Sequence, residues 1–331
     1  MVNLQEVLEP LDVFRKITGL RLEDVYNLLL RKGWTLGSGL MLKGMHLVMR
    51  LYYRRQVRVL REFWRAGKGD LVVSLVPNFN RALRESLNET PFVTILTDIA
   101  DYPPHFWIER QDQWLICGSE KAVEQARALG HPDSRVFRAS GMILHPRFYE
   151  AVEPVLPPGL KPGMPTGLVL FGGSGSSVML EIARRLQDLP VQLILICGRN
   201  RKLAERLRAM PRKRPMFVEE YTREVPRYMR VSDFFIGKPG PGSISEALAM
   251  RLPVIVERNA WTLPQERYNA DWVRERGVGL VVRSFRKIGA AVQELLEPEN
   301  YARFRANAAA VENRAVFEIP DMLERILCEP H

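Results

Sequence analysis

The segment Gly237–Ala247 (GKPGPGSISEA) combines small, cationic and helix-starting residues in one short stretch. It follows Asp233–Ile236, an apolar run that predicts a buried strand, and leads into a predicted helix over Ser243–Met250. Gly240 and Gly242 allow the backbone to turn tightly and to approach a ligand without a Cβ clash. Free amide groups at the start of the helix point their hydrogens at a bound anion. The pattern therefore predicts an anion site, and a diphosphate suits it best.

A second glycine-rich segment, Phe171–Ser177 (FGGSGSS), also lies between a predicted strand and a predicted helix, Gly167–Phe171 and Val178–Leu186. Both segments leave the carboxyl ends of strands, where parallel α/β sheets bind their ligands. Two such loops in one half of the chain predict a nucleotide diphosphate as ligand. For the loop that contains Gly240 and Gly242 the alternative is a plain tight turn into a helix, because Gly and Pro occur in many loops.

Short apolar runs alternate with helical patterns through most of the chain. This alternation predicts an α/β fold with parallel sheets covered on both faces. The predicted strands of the second half are Gly167–Phe171, Val191–Cys197, Pro215–Val218, Asp233–Ile236, Pro253–Glu257 and Gly279–Val282. In the first half, strands are predicted at Asp70–Leu75, Phe92–Thr97, Gln113–Cys117 and Arg135–Arg138, with helices at Glu9–Thr18, Leu22–Lys32, Leu40–Ala66 and Ser119–Leu129.

Length and charge restrict the class of protein. A chain of 331 residues can form two domains with their own cores. Its net charge of +10 predicts an anionic partner, and the alternatives are nucleic acid, an anionic membrane and a phosphorylated substrate. No segment approaches the roughly 20 apolar residues of a membrane span, and the start carries no signal-peptide pattern. The three cysteines are widely spaced and suit a reducing compartment.

Several short motifs follow one another in a fixed order. The second half carries Phe171–Gly175 (FGGSG), Cys197–Asn200 (CGRN), Gly237–Ser243 (GKPGPGS), Glu246-Ala247 and Gln265–Asn269 (QERYN). The first half carries Thr97-Asp98, Pro104–Trp107 (PHFW), Ser119-Glu120 and Gly141 through Pro146–Phe148. In this order and spacing the chain resembles glycosyltransferases of the monogalactosyldiacylglycerol synthase type. These are related to the N-acetylglucosaminyltransferase of peptidoglycan synthesis.

The resemblance implies the glycosyltransferase-B fold, in which two Rossmann-like domains face each other across a cleft. We expect an acceptor and membrane-facing domain over residues 1–152, a linker over 153–165 and a UDP-sugar donor domain over 166–312. Residues 313–331 are expected to form a helix that packs back on the N-terminal domain. Such enzymes begin with a strand and a glycine-rich loop ending in a histidine. Here a helical pattern follows Met1–Leu4 directly, so we expect the N-terminal domain to lack that strand and loop.

The resemblance also implies an activity. It is inverting transfer of galactose or glucose from a UDP-sugar to the hydroxyl of diacylglycerol, at the cytoplasmic face of the cell membrane. No cofactor and no metal ion are expected in the donor site. The alternatives are another lipid-linked acceptor such as a peptidoglycan precursor, a donor-binding protein without turnover, and a basic nucleic-acid-binding protein. A nucleic acid would explain the charge but not the glycine loops, so no nucleic acid partner is expected.

Donor contacts are assigned through the matching motifs. The diphosphate is expected on Gly172, Gly173, Ser174 and Gly175 from one side and on Lys238, Gly240, Gly242 and Ser243 from the other. The nucleoside is expected on Arg199, Tyr221, Thr222 and Glu246. The hexose is expected on Gln265, Glu266 and Asn269, whose alternative is an ordinary polar first turn of a helix.

Glu246 has two interpretations. The resemblance implies that its carboxylate accepts hydrogen bonds from the ribose hydroxyls, and a position near a helix N-terminus would keep it ionised. Alternatively, Ser243–Glu246 is a capping box, in which the glutamate bonds back to the first amide of the helix.

The acceptor side depends on three residues. Asp98 ends the predicted strand Phe92–Thr97 and would deprotonate the acceptor hydroxyl or orient the group that does. The alternative is an Asp that merely caps the following turn. His105 is the second catalytic candidate, although a lone histidine is more often structural. Trp107 lies in the same loop and is expected in the acceptor pocket.

The predicted helix Leu40–Ala66 is strongly basic. It carries one acid, Glu62, against Lys43, Arg50, Arg54, Arg55, Arg58, Arg61 and Arg65. Basic residues interleaved with Trp, Tyr and Leu are typical of an interfacial membrane helix, so an anionic membrane surface is expected as a partner through Arg54, Arg55 and Arg58. The alternative is a core helix with a solvated basic face.

Overall fold

A computed structural model describes residues 2–9, 38–65, 67, 69–102, 105–151 and 153–328. The predicted helix Leu22–Lys32, and Glu9–Thr18 from residue 10 onward, lie outside these residues. The chain divides into two compact units. The first contains Met1–Met142, Leu263–Gln265 and Arg314–His331, and the second contains Ile143–Thr262 and Glu266–Asn313.

The first unit contains a parallel four-stranded sheet of order β1-β2-β3-β4. Its strands are β1 (Val72–Ser74), β2 (Phe92–Ile95), β3 (Trp114–Cys117) and β4 (Val136–Arg138). The helices of this part of the chain are α1 (Leu4–Val7), α2 (Ser38–Arg65), α3 (Asn80–Ser86) and α4 (Glu120–Ala128). Strands β2 and β3 are buried along their whole length, as expected for central strands made of apolar residues.

The second unit contains a parallel six-stranded sheet of order β10-β9-β8-β5-β6-β7. Its strands are β5 (Thr166–Leu170), β6 (Gln192–Ile196), β7 (Met216–Glu219), β8 (Phe234–Gly237), β9 (Val254–Glu257) and β10 (Gly279–Val282). The helices are α5 (Val178–Leu186), α6 (Arg201–Arg208), α7 (Val225–Arg230), α8 (Pro241–Ala249), α9 (Pro264–Arg276), α10 (Ile288–Leu296) and α11 (Pro298–Ala310). Helix α9 begins in the residues grouped with the first unit.

The strand order of this sheet contains a topological switch point. From β5 the chain moves in one direction to β6 and β7, and then returns to place β8 on the other side of β5. From β8 it continues outward to β9 and β10. Ligands of open α/β sheets bind outside the carboxyl ends of the strands at such a point. The two glycine-rich loops leave β5 and β8, the two strands that border it.

The last helix, α12 (Ala315–Cys328), belongs to the first unit. Its buried residues Ala315, Ile319 and Ile326 share one apolar cluster with strands β2 and β3. The Glu318 carboxylate accepts a hydrogen bond from the Ser140 amide at 2.7 Å. None of the helices that the structure describes combines the length and the apolar character needed to cross a membrane.

The Pro- and Gly-rich segment predicted as a linker over 153–165 is part of the second unit, which begins at Ile143. The Gln192 side chain binds the Lys161 backbone twice, accepting from its amide at 2.8 Å and donating to its carbonyl at 2.9 Å. Leu160 beside it is buried. Gln192 is itself fully buried in strand β6, so its amide satisfies its hydrogen bonds on this segment and fixes it.

Candidate functional site

The two glycine-rich loops meet around one side chain. Leu170 at the end of β5 lies in register with Gly237 at the end of β8, so both loops start from the same edge of the sheet. The Cε atom of Lys238 is 3.9 Å from the position that a Cβ on Gly172 would occupy. It is 3.4 Å from the corresponding position on Gly240. The structure thus brings together the two segments that were predicted to bind a diphosphate.

The first glycine loop is held by the loop that follows β6. Gly172 and Gly175 have φ angles of 69° and 60°, which lie in the left-handed region that favours glycine. The Gly173 carbonyl accepts a hydrogen bond from the Arg199 amide at 2.8 Å. Gly198 also has a left-handed φ of 59°, and a Cβ there would lie 2.3 Å from the Gly173 oxygen. Only glycine allows these two loops to approach so closely.

We expect Gly198→Ala to lower the free energy of unfolding by about 3 kcal/mol, the upper part of the range for left-handed backbone strain, because the new methyl group also displaces the Gly173 carbonyl. Gly173→Ala is the matched control, because nothing lies within 4 Å of a Cβ at that position. Urea unfolding measures both. Equal stability of the two variants would show that the contact between these loops is not tight.

Helix α8 begins earlier than predicted. Gly240 is its N-cap and Pro241 its first residue, and no side chain caps it. Ser243 and Glu246 therefore lie inside the helix, and the capping-box interpretation is wrong. The reason is that proline is well suited to the first helical position, where its missing amide hydrogen is not needed. No side-chain cap therefore competes with a ligand for the amides at the start of α8.

Glu246 is half-buried in the second turn of α8. Burial raises the pKa of its carboxyl to about 7. Burial therefore opposes the ionisation that the helix N-terminus was expected to favour, because the effect of the helix dipole falls off beyond the first turn. A carboxyl with a perturbed pKa beside a candidate ligand loop is a functional-site candidate.

Glu266 and Asn269 on α9 both reach the loop after β8, but in different ways. Glu266 is buried and its Oε1 lies 2.8 Å from the Lys238 Nζ. Asn269 is fully buried, and its side chain donates a hydrogen bond to the Pro239 carbonyl at 2.9 Å. Asn269 thus fixes this loop through its amide nitrogen, while its side-chain oxygen is buried and has no hydrogen-bond partner among the described residues. Its predicted hexose contact stays a prediction. Gln265, one residue before Glu266, is half-buried and is grouped with the first unit.

The predicted nucleoside contacts lie in the loops after β6 and β7. The Arg199 guanidinium is 5.2 Å from the centre of the Tyr221 ring, and half of the Tyr221 side chain is exposed. The Thr222 hydroxyl accepts a hydrogen bond from the Glu224 amide at 2.9 Å. The structure thus pairs Arg199 with Tyr221 in an exposed cation–π contact, while Thr222 stabilises its own turn.

Asp98 follows β2 in the first unit and is buried. Its Oδ2 accepts a hydrogen bond from the indole nitrogen of Trp107 at 2.8 Å. Trp107 is only 2% exposed and packs in the core with Phe106 and Ile108. Its predicted contact with acceptor or membrane is therefore wrong, because the indole is inside the protein. Trp107 instead fixes the Asp98 carboxylate.

Asp101 is a residue that the sequence analysis missed. Its buried carboxylate accepts hydrogen bonds from the backbone amides of residues 105–108, at 3.0, 2.9, 2.7 and 3.3 Å. Burial raises the pKa of Asp101 above its ordinary value, although these amides lower it. His105, which has a left-handed φ of 67° and an exposed side chain, begins this loop. An Asp just before a proline-rich loop was the available signal, since Asp commonly accepts hydrogen bonds from turn amides.

Helix α2 uses its apolar face inside the protein. Val57 and Leu60 are buried against α3 and Phe92 in one cluster. Over residues 51–65 the apolar face of α2 is therefore part of the protein core, as the alternative interpretation of this helix has it. The opposite face is exposed and basic, and contains Arg54, Arg55, Arg58, Arg61 and Arg65. The side chains of Lys43 and Arg50 lie outside the described part of the chain.

Comparison with known proteins is consistent with this geometry. Residues 168–325 match the model of the family described as "Glycosyltransferase family 28 C-terminal domain". The matched residues make up slightly less than half of the chain and include both glycine-rich loops. The chain is 29% identical over 280 residues to a chloroplastic monogalactosyldiacylglycerol synthase of Spinacia oleracea, covering 78% of this chain and 53% of that protein. The predicted resemblance to this type of synthase is confirmed. The chain spans about half the length of the curated relatives it matches.

Two solved structures share the fold. S. aureus MnaA, solved together with UDP, aligns with a TM-score of 0.62 at 15% identity, covering 84% of this chain and 82% of that one. MurG of Acinetobacter baumannii aligns with a TM-score of 0.59 at 12% identity, covering 81% and 78%. The predicted α/β fold class of the glycosyltransferase-B type is confirmed.

Proposed function

We propose that the protein transfers galactose or glucose from a UDP-sugar to the hydroxyl of diacylglycerol. One observation carries the proposal. In a domain of glycosyltransferase family 28, two glycine-rich loops converge on Lys238 at the switch point of the sheet. The relatives named as monogalactosyldiacylglycerol synthases support the lipid acceptor.

The donor site would stabilise the departing diphosphate through fixed positive groups. Helix α8 begins after its N-cap Gly240 without a side-chain cap, and the Lys238 Cε lies 3.4 Å from the position of a Cβ on Gly240. Preorganised donors of this kind stabilise the charge that develops on a leaving group, and the proposal therefore includes no cofactor. Glu246 would accept hydrogen bonds from the ribose hydroxyls once it is ionised, and the Arg199–Tyr221 pair would contact the base.

The acceptor hydroxyl would be activated by a carboxylate in the first unit. Inverting transfer is a single displacement at the anomeric carbon, and its nucleophile must lose a proton to a general base. Asp98 is the candidate, because Trp107 holds its Oδ2 and orients the group. His105 is the second candidate, positioned through the amides that Asp101 binds. The exposed basic face of α2 would hold the protein on the cytoplasmic face of the cell membrane, as a peripheral protein.

The test is to incubate the full chain with anionic vesicles that contain diacylglycerol and with either UDP-galactose or UDP-glucose. Lipid products are resolved by mass spectrometry. A hexosyl-diacylglycerol from one donor supports the proposal. A product formed only from vesicles with a polyprenyl-linked peptidoglycan precursor assigns the alternative acceptor. UDP-sugar binding with no lipid product from either acceptor contradicts transfer and leaves a donor-binding protein.

We expect binding of UDP-glucose to strengthen about tenfold between pH 6 and pH 8, the change in ionised fraction of a carboxyl whose pKa is about 7. Only the ionised Glu246 accepts hydrogen bonds from both ribose hydroxyls. The stability of the free protein has the opposite dependence. Because the folded pKa is raised, the folded state disfavours the ionised form, and stability is lost as pH rises from the ordinary carboxyl value through about 7.

Calorimetric titration measures how the binding of UDP-glucose depends on pH, and urea unfolding measures how the stability of the free protein depends on pH. UDP-glucose is the right probe, since its diphosphate carries no terminal phosphate that titrates there. Glu246→Gln should remove both trends and should weaken binding at pH 8. A pH dependence that survives in this variant would assign it to another group.

A further inference from the structure

The Lys238–Glu266 ion pair occupies the space between the two glycine loops. Its Nζ–Oε1 distance is 2.8 Å. The same Glu266 oxygen is 3.8 Å from the position of a Cβ on Gly240, and the Lys238 Cε is 3.9 Å from that on Gly172. A carboxylate therefore already neutralises the ammonium at the place where the proposed diphosphate would lie.

The two partners differ in their exposure to water. The Lys238 side chain is 43% exposed, whereas that of Glu266 is 10% exposed. Lys238 can therefore exchange partners while its ammonium remains solvated, but Glu266 cannot. A buried carboxylate that loses its cation is strongly destabilised unless another donor takes its place.

We propose that Glu266 makes the site selective for a UDP-sugar over free UDP by an exchange of partners. Lys238 moves from Glu266 to the diphosphate, and hydroxyls of the donor hexose replace the ammonium on the carboxylate. The inference rests on the proposed function, because it takes a UDP-sugar as the ligand. Binding of UDP alone leaves the Glu266 carboxylate without a partner, which disfavours binding, and only the hydroxyls of the hexose replace that partner.

The exchange has a consequence for turnover. When the hexose has left for the acceptor, Glu266 has no hydroxyl partner and competes with the diphosphate for Lys238. Free UDP is then held less tightly than the donor was, which favours release of the product. Glu266, which binds the hexose hydroxyls in this proposal, thus also limits inhibition of the enzyme by its product UDP.

Glu266→Gln separates this role from a merely structural one. The amide no longer competes for the ammonium, so we expect the variant to bind UDP about two- to fivefold more tightly, in line with a partly exposed ion pair. The same variant should bind UDP-glucose less tightly, because an amide replaces the carboxylate as the hydroxyl partner. Both changes lower the ratio of the dissociation constant of UDP to that of UDP-glucose, which calorimetry measures.

Glu299→Gln is the matched control. It removes the same charge from an exposed position of the same unit and should leave that ratio unchanged. If Glu266→Gln weakens UDP and UDP-glucose equally, Glu266 only orients Lys238 and the inference is overturned. A wild-type protein that binds neither ligand contradicts the proposed function itself, and the two failures are thus distinguishable.

Discussion

Asp98→Asn is expected to lower kcat by about 10²- to 10⁴-fold, the range for loss of a general base. The asparagine amide oxygen can still accept the hydrogen bond that the Trp107 indole donates to Asp98, so the buried contact is retained. What the amide cannot do is take the proton of the acceptor hydroxyl. Donor binding should be unchanged, because the proposed donor loops belong to the other unit.

The measurement is kcat and the KM for the donor, at saturating vesicles. Asp112→Asn is the control, because it removes an exposed carboxylate that pairs with Arg84 in the same unit. A kcat near that of the wild type in Asp98→Asn would exclude Asp98 as the base. His105→Ala would then be expected to show the large loss instead.

Much of the second unit can be predicted from the sequence because its local and tertiary requirements agree. Strands β5 and β6 are apolar except for their first residues, Thr166 and Gln192, and every residue in them is buried. The glycines of Phe171–Ser177 predict a loop, and two of them, Gly172 and Gly175, adopt left-handed φ angles that other residues rarely adopt. Such signals are local and do not depend on which elements pack together.

Whether a polar or aromatic side chain is buried depends on how distant elements pack together, and the local sequence does not predict it. Asn269 and Trp107 belong to residue types that suit a binding pocket, but the packing of their elements places both inside the protein. The basic helix α2 has an amphipathic pattern that fits a membrane surface and a protein core equally well. Only the position of α3 and Phe92 against Val57 and Leu60 decides between them.

The roles of Asp101 and Glu266 were hidden for a related reason. An aspartate that binds four backbone amides and a glutamate that pairs with a lysine 28 positions before it are set by loop conformation. No periodicity encodes these contacts. These roles become visible only when the hydrogen-bond partners of each buried carboxylate are identified in the structure.

Replacing Arg54, Arg55 and Arg58 by Gln is expected to weaken binding to anionic vesicles about 100-fold, since each basic residue near such a surface contributes about 1 kcal/mol. All three side chains are exposed, on the face of α2 that points away from the Val57–Leu60 core. The fold should therefore tolerate the change. Cosedimentation with phosphatidylglycerol vesicles at fixed ionic strength measures it, and neutral vesicles should show little binding by either protein.

The control must separate the effect of the basic face of α2 from the effect of the net charge of the protein. A chain with a net charge of +10 is attracted to any anionic surface. Arg201, Lys202 and Arg206 are exposed on α6 in the other unit, and their replacement by Gln removes the same three charges. Equal weakening by both triple variants would assign the attraction to net charge and exclude a specific role for α2. If the face of α2 docks the protein, only its variant should lose transfer on vesicles. Both variants should retain UDP binding, because none of the six residues is a predicted donor contact.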